Sequence, residues 1–129
     1  MKAILLALFV ALLMVGCGED AVDYSKLQDR NGVKYLSNED IPYTGRAELF
    51  YENGQKLGEG NFKDGVQDGL MTSWYESGQK RGELNFFSGK VMSAKAWKPN
   101  GEKCPVTNVK DGSGVVVRYK EDGTEEART

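Results

Sequence analysis

Between positions 44 and 126 the apolar residues come in short runs, each stopped by a polar turn built on glycine. Ala47-Glu48-Leu49-Phe50-Tyr51 and Leu70-Met71-Thr72-Ser73-Trp74-Tyr75 are rich in strand formers, and glycine recurs too often for a helix of three turns. The turn glycines Gly32, Gly54, Gly65, Gly78, Gly89, Gly101, Gly112 and Gly123 keep a beat, with steps of 11, 13, 11, 12, 11 and 11 residues from Gly54 onward. This predicts a series of hairpins. Asn53-Gly54 predicts a two-residue type I′ turn, because both residues tolerate positive φ, and Ser77-Gly78 is a weaker version. Lys26 to Arg30 and Val33 to Leu36 flank Asn31-Gly32 as an opening hairpin, and Ser37 to Pro42 reads as a loop.

One stretch is written twice. Phe50-Tyr51-Glu52-Asn53-Gly54-Gln55-Lys56 returns 24 residues later as Trp74-Tyr75-Glu76-Ser77-Gly78-Gln79-Lys80. Such self-similarity marks a repeat architecture, whose unit stacks on its neighbours because it cannot bury its own apolar face. Tyr51, Phe62, Tyr75, Phe86, Trp97 and Tyr119 each stand three or four residues before a turn glycine, and Trp74 precedes Tyr75. These seven predict an aromatic row that stacks across strands and offers a binding face. Trp97 to Gly101 and Tyr119 to Gly123 carry one extra residue, which predicts longer or bulged loops. Val115 to Tyr119 predicts the last strand, with Glu121, Asp122, Glu125 and Glu126 either guarding its open edge or forming a solvated tail.

The chain opens differently. Met1-Lys2 is a basic start, and Ala3 to Val15 is an unbroken run of 13 apolar residues. A spanning helix needs about 20, so the run predicts a signal-peptide helix over 1–16. Residues 17–23 then read as a tether, 24–126 as one β domain and 127–129 as a tail.

Charge and chemistry narrow the function. The chain has 17 Lys and Arg against 19 Asp and Glu, a net charge of −2, which gives no electrostatic footprint for nucleic acid. It has no His, which removes His-dependent nucleophilic arrangements and the usual zinc sets. Cys104, followed by Pro105, predicts a buried or half-exposed thiol. Asp64-Gly65 and Asp111-Gly112-Ser113-Gly114 lack EF-hand spacing, so no metal site is expected. Nor is any cofactor or catalytic residue. An acidic pair facing across the sheet, as in a glycosidase, leaves an envelope enzyme as the minor reading.

Two resemblances follow from these residues. Met14-Val15-Gly16-Cys17 is similar to a bacterial lipobox, with Met14 where leucine is commoner. It implies cleavage before Cys17, lipidation of that residue, membrane attachment through the lipid and a place in the cell envelope outside the cytoplasm. In a Gram-negative host, Gly18 after the cysteine implies the outer membrane. Cleavage near Gly16 or Gly18 as an ordinary signal peptide stays open.

Tyr51-Glu52-Asn53-Gly54-Gln55-Lys56, Gly60-Asn61-Phe62-Lys63-Asp64-Gly65, Asp68-Gly69-Leu70 and Trp74-Tyr75-Glu76-Ser77-Gly78-Gln79-Lys80 resemble bacterial MORN-repeat variants, in the arrangement of YwqK-type antitoxins. The resemblance implies an all-β fold, an elongated antiparallel hairpin meander advancing roughly 10 Å per hairpin. It implies a non-catalytic scaffold binding a protein or envelope polymer. The alternative is an antitoxin or immunity protein that masks a toxin by direct binding, and a passive structural lipoprotein also remains.

Overall fold

The computed structural model describes residues 20–128. The expected signal peptide, the lipidation at Cys17 and the start of the tether lie outside the described residues. The chain forms β1 (Val22–Asp23), a 3₁₀ turn (Tyr24–Lys26), β2 (Leu27–Arg30), β3 (Val33–Leu36), β4 (Gly45–Phe50), β5 (Lys56–Lys63) and β6 (Val66–Gln67). It continues through β7 (Gly69–Trp74), β8 (Lys80–Phe87), β9 (Lys90–Ala96), β10 (Asn108–Lys110), β11 (Ser113–Val115), β12 (Val117–Tyr119) and β13 (Glu125–Arg128). Among the described residues no helix is long and apolar enough to cross a membrane.

The main sheet is a meander in the order β1-β4-β5-β7-β8-β9-β10-β11, with β6 extending the β5 hairpin. Its pairs are antiparallel except at one end, where β1 pairs parallel with β4, Val22 opposite Ala47. Sequence alone placed Val22 and Asp23 in a tether. They are strand, because the chain returns to β4 only after the β2–β3 hairpin. That hairpin is clasped to the sheet by backbone bonds from Lys34 N to Gly65 O and from Gly65 N to Tyr43 O, both 2.8 Å. Gly65 sits so close to Val33 and to the Lys34 carbonyl that a side chain there has no room.

Two kinds of turn alternate along the ribbon, and this corrects the expectation for Asn53-Gly54. The short turns are Asn31-Gly32, Asp64-Gly65, Ser88-Gly89 and Asp111-Gly112, with both residues at positive φ, the two-residue type I′ geometry. At the long turns only Gly54, Gly78, Gly101 and Gly123 have positive φ. There Gly54 N donates to Tyr51 O at 3.0 Å while Tyr51 N donates to Gln55 O at 2.8 Å. This is a type I turn closed by a glycine bulge, and pairing slips by one residue at Leu49/Phe50 and Ser73/Trp74 to absorb it. Lys98 to Glu102 and Lys120 to Thr124 make the same bonds, so the C-terminal loops are not longer. The aromatics Trp97 and Tyr119 have instead moved back one residue relative to the turn.

Val115 to Tyr119 is not one strand, and it is not the last. The chain leaves the main sheet at Val116, and β12 turns back to pair with β13 as a separate hairpin. This hairpin folds over one face of the sheet. Val117 and Tyr119 bury against Tyr75, Ala96 and Cys104, with Val115 packed alongside. Polar contacts fasten it: Glu121 Oε1 accepts from Glu76 N at 2.7 Å, and Glu126 pairs with Arg81. The two glutamates predicted to guard an edge or trail in solvent therefore hold a second layer in place.

Candidate functional site: an apolar trough across the sheet

Strand pairing fixes which residues share a face, since successive side chains alternate and partners across the ladder point the same way. Ala47 lies opposite Gly60, Leu49 opposite Gly58, Gly58 opposite Ser73, Met71 opposite Leu84, and Ser73 opposite Gly82. Gly82 in turn faces Ala96, and Leu84 faces Ala94. One face is thus paved with small and apolar side chains. Its ends are covered. At the β4 end Tyr24 meets Phe62 at 6.2 Å between ring centres and Tyr43 meets it at 6.3 Å, leaving Ala47 and Phe62 buried. At the other end lies the β12–β13 hairpin.

Between these covers the face is an open trough. A hollow of about 280 Å³ is lined by Ala47, Leu49, Gly58, Gly60, Phe62 and Met71, among others. A second, of about 370 Å³, runs on beside Leu84, Phe86 and Ala96 to Val117 of the hairpin. The two share Gln67, Met71 and Ser73. Leu49, Met71 and Leu84 are half-buried. Apolar side chains in that state line a surface still in contact with water.

The reverse face is a charged ladder. Glu48 stands opposite Glu59 across β4 and β5, and Lys56 Nζ bridges them at 3.6 and 2.9 Å. Arg46 reaches both carboxylates, and Lys80 Nζ pairs with Glu83 at 2.6 Å. The hydrogen bond from Glu59, ahead of burial that opposes it, holds the Lys56 ammonium above its ordinary range.

The seven aromatics expected to form one binding row do not share a face. Trp74 and Trp97 lie beside this ladder, under Lys56 and Lys80 at 5.8 and 5.5 Å. Tyr75 and Tyr119 are core residues, at 0% and 8% exposure, and Phe62 is buried at 5%. Phe86 lines the trough. Tyr51 is half-buried and donates its hydroxyl to the Trp74 carbonyl at 2.8 Å. The row fails because the bulged turn reverses side-chain parity, sending Tyr51 and Tyr75 inward and their neighbours Phe50 and Trp74 outward. The eight turn glycines all have φ between 80° and 93° and stay at the rims, away from the floor.

Residues missed in the sequence are the floor itself: Ala47, Leu49, Gly58, Gly60, Met71, Ser73, Gly82 and Leu84. Their signal is alternation within each run, as in Gly58-Gly60-Phe62 against Glu59-Asn61-Lys63. Counting that parity across the 24-residue shift would have found them.

The trough carries little reactive chemistry. Cys104, 1% exposed, has its Sγ 3.0 Å from Tyr119 Oη beneath the hairpin, away from the open section. Burial pushes this thiol up, but hydrogen bonds from Tyr119 and around Thr107 and Val106 outweigh it and bring it down to about 7. The same Cys104 contact, with burial, pushes Tyr119 up to about 12. Among the described residues no group of three His, Cys, Asp or Glu side chains is placed to hold a metal ion.

Residues 43–64 and 67–87 each match the family model described as the MORN repeat variant. No curated protein and no solved structure matches the chain. The matched stretches carry β4 with β5 and β7 with β8, and MORN repeats commonly serve as binding modules. The open section of the trough is therefore floored by two successive stretches that match the MORN repeat variant.

Proposed function

We propose that this chain is an exported, lipid-anchored, non-catalytic binding module of the cell envelope, whose trough receives a partner protein or an envelope polymer. The observation that carries the reading is an apolar sheet face covered at both ends and open between them, at Leu49, Gly58, Gly60 and Met71. A single sheet must cover its apolar side to leave water, and here the chain supplies cover for only part of it. Export rests on the apolar run and lipobox-like Met14-Val15-Gly16-Cys17; lipid at Cys17 attaches the module to the membrane, the outer one in a Gram-negative host. The near-neutral charge supports a partner other than nucleic acid.

The test is a pull-down from envelope extract with the wild type, Met71→Asp and the reverse-face variant Asn85→Asp. Partner recovery that falls at least tenfold with Met71→Asp alone is expected. Equal recovery by all three overturns the trough as the binding surface. Cys17→Ala should release the protein from the membrane fraction, and unchanged membrane attachment would remove the lipid anchor. If the captured partner is a toxin, and Met71→Asp also loses the ability to rescue cells expressing it, the module is acting as an antitoxin.

A further inference from the structure

The molecule shows what covers its trough, because it covers one section with a piece of itself. The β12–β13 hairpin sits on the second repeat, where Val117 buries on Tyr75 and Ala96 and Glu121 Oε1 accepts from Glu76 N at 2.7 Å. Shifted back by one repeat, this seat becomes Tyr51 for Tyr75, Gly58 for Gly82, Ser73 for Ala96 and Glu52 for Glu76. These residues lie at the open hollow of about 280 Å³ or on its rim. The Glu52 amide, which occupies the turn position of Glu76 N, has no protein acceptor among the described residues.

We infer that the first repeat is a receptor for a β-hairpin of a partner protein built like β12–β13, with a β-branched apolar residue and a carboxylate four residues on. In the filled seat those residues are Val117 and Glu121. The apolar residue settles over Gly58 and Ser73, and the carboxylate accepts from Glu52 N. One position differs: Leu57 replaces Arg81, the partner of Glu126, so the guest carries an apolar residue where this chain has Glu126. The inference rests on the trough being a binding surface and adds what the surface recognises. Docked apolar strands give affinity by area, and the amide contact fixes register.

The probe is a synthetic peptide of residues 115–128 with Glu126→Val, titrated into the full chain in detergent. Saturable binding is expected in the micromolar to millimolar range, at least tenfold weaker with Gly58→Val and severalfold weaker when the peptide also carries Glu121→Gln. A Cβ at Gly58 meets only the Thr72 carbonyl oxygen, at 3.5 Å, so Gly58→Val fills the seat and leaves the fold intact. Throughout the titration Cys104 should stay unreactive, since the chain's own hairpin is undisturbed.

No saturable binding at millimolar peptide overturns the inference. So does binding that ignores Gly58→Val and makes Cys104 reactive, because the peptide has then displaced β12–β13. If the peptide fails while the envelope partner still depends on Met71, the binding reading stands and only the hairpin guest falls.

Discussion

Tyr75 crosses from its turn to the neighbouring repeat and donates its hydroxyl to the carbonyl of Trp97 at 2.6 Å. Tyr51 does the same one repeat earlier, to Trp74 at 2.8 Å. Each tyrosine ties its turn to the strand end ahead of the next, which converts a 24-residue sequence period into a fixed spacing of hairpins. At the third such turn Lys98 stands in the tyrosine's place, its Nζ 5.9 Å over the Tyr119 ring.

Removing the Tyr75 hydroxyl leaves the Trp97 carbonyl without that donor in the best-buried part of the sheet. Tyr75→Phe should cost about 1–3 kcal/mol, and Tyr51→Phe, in a wetter site, about 0.5–1.5 kcal/mol. Urea unfolding measures both. Equal losses at the two positions would show that burial does not set the difference.

The turn glycines should sort by surroundings as well as by φ. A Cβ at Gly54, Gly78 or Gly123 meets nothing within 4 Å, so each Gly→Ala change should cost about 1–2 kcal/mol from the left-handed backbone alone. Gly65→Ala adds a collision with Val33 and with the Lys34 carbonyl oxygen, 2.9 Å away, and Gly114→Ala runs into the Asn108 backbone. These two should fail to reach the native near-ultraviolet dichroism that the first three retain.

Cys104 and Tyr119 give the chain a pH signature. The thiol falls from 9.0 to about 7 on folding, so its contribution is present above pH 9 and lost as pH falls through about 7. Tyr119 rises from 10.0 to about 12, so its contribution is present below pH 10 and lost as pH climbs through about 12. Urea midpoints should rise from pH 7 to 9 and fall beyond 10. Cys104→Ser should flatten the rise. At 1% exposure the thiol should also react with a disulfide reagent only as fast as the hairpin opens.

On the charged face, Lys56→Met leaves Glu48 and Glu59 opposed, with Arg46 as their remaining counter-ion. These groups are partly exposed, so the loss should stay below about 1 kcal/mol at low salt and shrink as salt rises. Unfolding at two ionic strengths checks the sign of that trend.

Much of this fold was legible in the glycine spacing and the repeated Tyr-Glu-x-Gly-Gln-Lys, because turn chemistry is local and each glycine reports its own backbone. What was hidden depends on contacts distant in sequence. Nothing in Val115-Val116-Val117 announces that the chain changes layers at Val116; that follows from the apolar seat on Tyr75 and Ala96. The aromatic row was misread for a local reason: one bulge residue per long turn flips the parity of Tyr51 and Tyr75, and Asn53-Gly54 fits both turn types. Val22 pairs parallel with β4 through a contact 25 residues away, across the β2–β3 hairpin.

The account turns on the uncovered middle of the trough being where the partner sits. A photo-crosslinking side chain introduced at Met71, and separately at Asn85 on the charged face, reads this directly in envelope extract. Adducts from position 71 and none from position 85 are predicted; adducts from 85 with none from 71 would contradict it.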